Sequence, residues 1–176
     1  MTKSIKLRLS TLILILLLPL ASCKKQPDKE LSYEGISFKY PSYWKVKTEK
    51  GAEGGVYIDA EERFSSETIF FVSVSPFETD HEEMLENYFS KLSQDFDVTK
   101  EPVTSGKFGQ YRSSSVKYRM SKNREKAYGI IYAFDAEERT VLIIKQSNME
   151  YELKHEKYKL MEDSFKVEEP IKDSIE

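Results

Sequence analysis

The fold turns on the stretch Tyr128-Gly129-Ile130-Ile131-Tyr132-Ala133-Phe134-Asp135-Ala136-Glu137-Glu138-Arg139-Thr140-Val141-Leu142-Ile143-Ile144-Lys145-Gln146. In its first half Tyr128, Ile130, Tyr132 and Phe134 alternate with Ala127, Gly129 and Ile131. A period of two places alternate side chains on opposite faces of a strand. Asp135-Ala136-Glu137-Glu138 is short and polar, a tight connection. The second half, Arg139 to Gln146, carries Val141-Leu142-Ile143-Ile144, apolar on both parities, as a strand covered on both faces must be. The pattern predicts an antiparallel hairpin at the centre of a sheet.

Other strands flank this pair. Ile36 to Tyr40 alternates apolar and polar, Pro41-Ser42 breaks it, and Trp44 to Thr48 alternates again. Gly51 to Gly55 is turn-rich, Val56-Tyr57-Ile58 is a short strand, and Thr68 to Ser75 is a longer one. In the latter, Phe70, Val72 and Val74 share one face and Ile69 and Phe71 the other. Tyr111 to Met120 reads as a further strand with Val116, Tyr118 and Met120 on one side.

Two segments have helical spacing. Met84, Leu85, Tyr88, Phe89, Leu92 and Phe96 form a stripe at the 3.6 period. Thr79 or Asp80 can cap that helix, with Glu82 or Glu83 completing a capping box. The second helix spans about Met149 to Phe165, with Tyr151, Tyr158, Met161 and Phe165 on one side. The expected class is α+β, an antiparallel sheet with two helices packed against it.

The N-terminal residues have a different character. Lys3, Lys6 and Arg8 precede an apolar run from Leu9 to Leu20, and two small residues, Ala21 and Ser22, follow. This is the layout of a secretory signal. The run is shorter than the roughly 20 apolar residues that cross a bilayer, it contains Ser10, Thr11 and Pro19, and Lys24-Lys25 ends it. Leu20-Ala21-Ser22-Cys23 resembles the lipobox of bacterial lipoproteins. The resemblance implies that a signal peptidase recognises Leu20, Ala21 and Ser22, cuts before Cys23, and leaves Cys23 as the acylated N-terminus. The alternative is a buried structural cysteine, which the flanking charges oppose.

Cys23 is the only cysteine, so the exported domain has no intramolecular disulfide and depends on its core. Loss of residues 1–22 removes three basic residues and takes the net charge from −3 to −6 over the remaining 154. A chain of that size suits one domain and buries about 70% of its unfolded surface. An acidic balance with interspersed signs excludes nucleic acid as a partner. The organisation expected is signal peptide 1–22, lipidated cysteine and flexible tether 23–34, domain 35–167 and a loose tail 168–176.

Gly35-Ile36-Ser37-Phe38-Lys39-Tyr40-Pro41-Ser42-Tyr43-Trp44-Lys45-Val46 resembles the opening of PsbP-like domains, and Asp163-Ser164-Phe165-Lys166-Val167 resembles the close of their final helix. The order of elements agrees over Gly35 to Val167. The resemblance implies a PsbP-like α/β/α sandwich, with Pro41 as a turn after an edge strand and Trp44 as a core anchor. It also implies a mostly non-enzymatic domain, of a kind that includes lipoproteins and membrane-peripheral modules assisting a larger assembly. The motifs are structural, so the resemblance carries over no binding residue.

Chemistry-bearing motifs are few. Asp80-His81-Glu82-Glu83 lacks an H-E-x-x-H spacing, and acidic residues at a helix start suit the helix dipole. His155, among Lys154, Glu156 and Lys157, reads as part of a solvated helix face. Ser42-Tyr43-Trp44-Lys45 and Ser114-Ser115-Val116-Lys117 match S-x-x-K, but a spacing of three on a strand puts the two side chains on opposite faces. No catalytic residue, metal ligand or cofactor is assigned. The function expected is a non-enzymatic accessory or binding module in the bacterial cell envelope. It would be held by its lipid anchor and would contact an envelope protein or a small ligand. Tyr43, Tyr57 and Tyr111 are the candidate contact residues, chosen for their outward strand parity. With no aspartate after Cys23, the expected location is the outer membrane. The alternative is an envelope hydrolase with paired carboxylates in a helix–sheet groove.

Overall fold

A computed structural model describes residues 27–51, 53–63 and 65–168. Leu20, Ala21, Ser22, Cys23 and residues 169–176 lie outside the described residues. The strands are β1 (Lys29–Tyr33), β2 (Ile36–Tyr40), β3 (Trp44–Lys50), β4 (Val56–Glu62), β5 (Ser65–Val74), β6 (Asp97–Lys100), β7 (Thr104–Phe108), β8 (Tyr111–Lys122), β9 (Glu125–Ala136), β10 (Arg139–Ser147) and β11 (Lys166–Val167). The helices are α1 (His81–Asp95) and α2 (Glu156–Ser164), and a 3-10 turn, Glu150–Lys154, precedes α2.

The hairpin at residues 128–146 is the centre of the molecule. Strand β10 pairs antiparallel with β9 on one side and with β5 on the other, and all nine of its residues are buried. The main sheet runs β3-β4-β5-β10-β9-β8-β6, with β7 also paired to β8. A second sheet of three strands runs β1-β2-β11.

The main sheet has two apolar faces. One packs beneath α1: Leu85 and Phe89 meet Val116, Tyr118, Ile131 and Leu142. The other packs beneath α2 and the small sheet: Met161 and Tyr158 join Phe38, Trp44, Phe70 and Phe134. Strands dominate, and the second face is shared between a short helix and three strands. The expected α/β/α layering is therefore asymmetric.

Helix α1 starts where its cap is. Asp80 Oδ1 accepts from the backbone N–H of Glu83 at 2.9 Å, as a capping residue does. Phe96 sits at the C-cap in extended conformation and ends the helix.

The structure changes four expectations. The stretch 23–34, expected as a flexible tether, contains strand β1: Leu31 and Tyr33, two apart, face the core, and β1 pairs with β2 in the register Leu31↔Phe38. That pairing makes β2 the middle strand of the small sheet, not an edge. The second helix is broken at His155, whose backbone is extended (φ −68°, ψ 151°). Its Nδ1 accepts from the Lys157 N–H at 3.3 Å and caps α2, so one residue closes the 3-10 turn and opens the helix. Finally, β8 and β9 run on past Met120 and before Ala127, joined by Asn123-Arg124 alone.

Two glycines are required. Gly35 (φ +78°) turns β1 into β2, and a Cβ there would lie 2.4 Å from the Glu168 carbonyl oxygen. The Gly35 carbonyl in turn accepts from the Glu168 N–H at 2.8 Å, so the start of the expected loose tail is tied to the small sheet. Gly129 lies opposite Tyr118, and a Cβ there would lie 2.3 Å from its ring. The Tyr118 ring fills the space that a side chain would occupy.

The β8–β9 turn supports a stability prediction. Asn123 (φ 52°) and Arg124 (φ 76°) are both left-handed, as a type I′ hairpin turn demands. Asparagine tolerates this region and arginine does not, at a cost of roughly 1 kcal/mol. Arg124→Gly restores the Asn-Gly pair and is expected to raise the thermal midpoint by about 2–4 °C. A midpoint that falls under calorimetry contradicts this reading of the turn.

Candidate functional site

The three tyrosines chosen from strand parity do not share a surface. Tyr43 is 38% exposed and lines a cleft of about 450 Å³ with Pro41, Ser42, His155 and Leu160. Tyr57 is 41% exposed and stacks on Phe71, centroids 6.4 Å apart, on the α1 side of the main sheet. Tyr111 is not outward. It is half-buried, its ring stacks on Phe134 at 4.7 Å, and its hydroxyl accepts from the Val167 N–H at 2.8 Å. Its parity places it on the face that the end of the chain covers, so it fastens β11 to the core.

The two S-x-x-K matches bring no serine to a lysine. Ser114 shares the parity of Val116 on β8, whereas Lys117 is exposed and lies 4.0 Å from Glu101. His81 Nε2 is 3.1 Å from Asp135 Oδ2, while Asp135 Oδ1 accepts from the Thr140 hydroxyl at 2.6 Å. That network pins the start of α1 to the β9–β10 hairpin. Among the described residues, no group of three His, Cys, Asp or Glu side chains is placed to hold a metal ion.

The break before α2 brings charged groups into the interior. Lys157, expected on a solvated face, is 8% exposed. Its ammonium donates to Glu62 Oε2 at 2.8 Å and to Glu152 Oε2 at 3.1 Å. Burial pulls its pKa down, but hydrogen bonds to the two carboxylates outweigh that and leave it above 10.5. Burial pushes the Glu152 carboxyl up, yet hydrogen bonds from Ser147 and Lys157 hold it below 4.5. Glu62 and Glu152 converge, as a hydrolase pair would, but a lysine sits between them and Ser147 occupies Glu152 further at 2.8 Å.

A second buried lysine lies across α2. Lys145 is 4% exposed, and its ammonium donates to Glu162 Oε2 at 2.9 Å. It also lies 5.0 Å from the Tyr132 ring centroid and 6.0 Å from that of Tyr158, within cation–π range. Tyr158 is wholly buried, and its single hydroxyl proton is shared between the Gln146 and Ile69 carbonyls. Burial raises the Tyr158 pKa far above the usual tyrosine value, and the nearby Glu152 and Glu62 add to it, so the group stays protonated.

Sequence reasoning missed both lysines. For Lys145 a signal existed: it continues a run that is apolar on both parities, so its stem had to be buried. For Lys157 none existed, because its partners come from β4 and from the far side of a helix break.

Beside Lys145 the gap between the 3-10 turn and α2 opens a cleft of about 340 Å³. Ile130 and Tyr132 of β9 line it, with Leu153, Lys154 and Lys159. The cleft at Tyr43 also has a buried lysine in its lining, Lys157, but that ammonium is already held by two carboxylates.

The scan against protein-family models and the search of curated proteins each find no match. Among solved structures the chain is similar to cyanobacterial PsbP (CyanoP) from Synechocystis sp. PCC 6803, with a TM-score of 0.59 and 16% identity over 85% of this chain and 99% of that one. It is also similar to a protein of Bacteroides thetaiotaomicron, with a TM-score of 0.55 and 10% identity over 80% of this chain. The matched region is 48% of that protein. The fold, a largely antiparallel sheet with two helices, thus resembles that of PsbP.

Proposed function

We propose that this chain is a bacterial lipoprotein, anchored through acylated Cys23, whose PsbP-like domain serves as a non-enzymatic accessory or binding module in the cell envelope. The observation that carries the reading is Leu20-Ala21-Ser22-Cys23 at the end of a short apolar run, directly upstream of an independent domain. Two acyl chains suffice for stable anchoring. The location proposed is the outer membrane, because Lys24, not aspartate, follows the cysteine.

The early start of β1 sharpens what anchoring does. From Cys23 to Asp28 the chain can span at most about 18 Å, half the reach of a tether that runs to Glu34. Asp28, which lines the cleft with Tyr43 and His155, would then lie within about 18 Å of the anchored cysteine. Confinement at that distance raises the effective concentration towards membrane partners.

The hydrolase alternative draws no support from Glu62 and Glu152, since Lys157 already holds both carboxylates. A cross-linked pull-down from gently solubilised membranes, comparing wild type with Cys23→Ala, tests the accessory role. The same envelope partner is expected with both chains, in lower yield from the variant. Recovery of no partner from either would remove the accessory role.

A further inference from the structure

We propose that the cleft between the 3-10 turn and α2 binds a small carboxylate with an apolar body, Lys145 being the buried anchor for its charge. The proposal deepens the binding-module half of the reading above and rests on it, but it does not depend on the anchor.

The two buried lysines differ in a telling way. An ammonium has three donors. Lys157 gives hydrogen bonds to two carboxylates, Glu62 and Glu152. Lys145, just as buried, has only Glu162 as an oxygen partner among the described residues. The same ammonium lies near the Tyr132 and Tyr158 rings, and the residue lines the cleft. A buried charge that is not fully paired is costly, and a second anion would relieve that cost.

The cleft around Lys145 is suited to such an anion. Lys154 and Lys159 line it, are exposed, and have no ion-pair partner among the described residues. Glu162 offsets Lys145, which leaves two lysines against Asp163, a net positive site. The rest of the lining is apolar or aromatic, from Ile130, Tyr132 and Leu153. Charged groups thus ring an apolar floor, an arrangement in which polar groups fix a ligand's orientation and apolar ones take its body. A volume of about 340 Å³ admits a molecule of roughly one ring and a short chain. The carboxylate would meet Lys145 and Lys159, and the body would lie against the Tyr132 ring.

The test uses the purified full chain and three probes: 4-phenylbutyrate, the matched cation 4-phenylbutylamine, and inorganic phosphate. Binding is followed by amide chemical shifts. Saturable shifts centred on Ile130, Tyr132 and Lys159 are expected with phenylbutyrate alone. The double variant Lys154→Ala, Lys159→Ala alters only exposed side chains and is expected to weaken that binding at least tenfold. Lys145→Met tests the anchor, and the surface variant keeps the test decisive if that chain fails to fold. Equal binding of the amine, equal binding of phosphate, undiminished binding by the double variant, or no saturation with phenylbutyrate would each overturn the proposal. Binding is measured without a membrane, so failure here leaves the lipidation of Cys23 untouched.

Discussion

Phe108→Ala is expected to destabilise the domain by about 3–5 kcal/mol, the range for a large aromatic lost from a core that cannot collapse. Phe108 is wholly buried at the end of β7. Its ring lies 5.2 Å from Tyr132, 5.4 Å from Phe165, 5.8 Å from Phe134 and 6.2 Å from Phe70. Those partners come from β9, the end of α2 and β5, so one ring ties three parts of the chain together. Relaxation into the gap would have to move all of them at once. Urea unfolding measures the loss. A change under 1 kcal/mol would show that the ring is peripheral to the core.

The second large effect concerns charge. The double variant Glu62→Ala, Glu152→Ala leaves Lys157 buried without an anion, at an expected cost of about 3 kcal/mol. That is the lower end of the range for a broken buried pair, because the two carboxylates are 23% and 24% exposed. Lys157→Met, which removes the charge and keeps the stem, is expected to cost less than half as much. A reversed order would mean that the lysine, not its neutralisation, holds this corner together.

The same cluster gives the stability a pH window. The native Glu152 carboxyl lies below its ordinary 4.5, so its contribution is present above that pH and is lost as pH falls through the native value. The native Lys157 ammonium lies above its ordinary 10.5, so its contribution is present below that pH and is lost as pH rises through the native value. The double variant should therefore lose less stability than wild type between pH 5 and pH 3. Urea midpoints at both pH values read the difference.

The sheet was legible in the sequence where period and composition agreed. Val141 to Ile144 is apolar on both parities because both faces of β10 are covered, one beneath α1 and one beneath α2. Helix α1 was legible because its stripe is long and its cap is an aspartate. What was not legible depended on contacts distant in sequence. Lys29 to Tyr33 is too polar to announce a strand, and only Leu31 and Tyr33 meeting the core make it one. Nothing in Lys154-His155-Glu156 signals a helix break, since no glycine or proline marks it. Tyr111 has the parity of an exposed residue until β11 returns to cover it. The candidate cleft exists because of that unmarked break, and so only the residues could be read beforehand, not their meeting.

The central claim is that Cys23 is the acylated N-terminus of the mature chain. The most direct test is the intact mass of the protein purified from bacterial membranes, with fragmentation of its N-terminal peptide. The expected product is a chain that begins at Cys23 and carries the added mass of a diacylglyceryl group, with or without a third acyl chain, and a Cys23→Ala variant that lacks it. A mature chain that still contains Leu20-Ala21-Ser22, or one that begins at an unmodified Cys23, would contradict it.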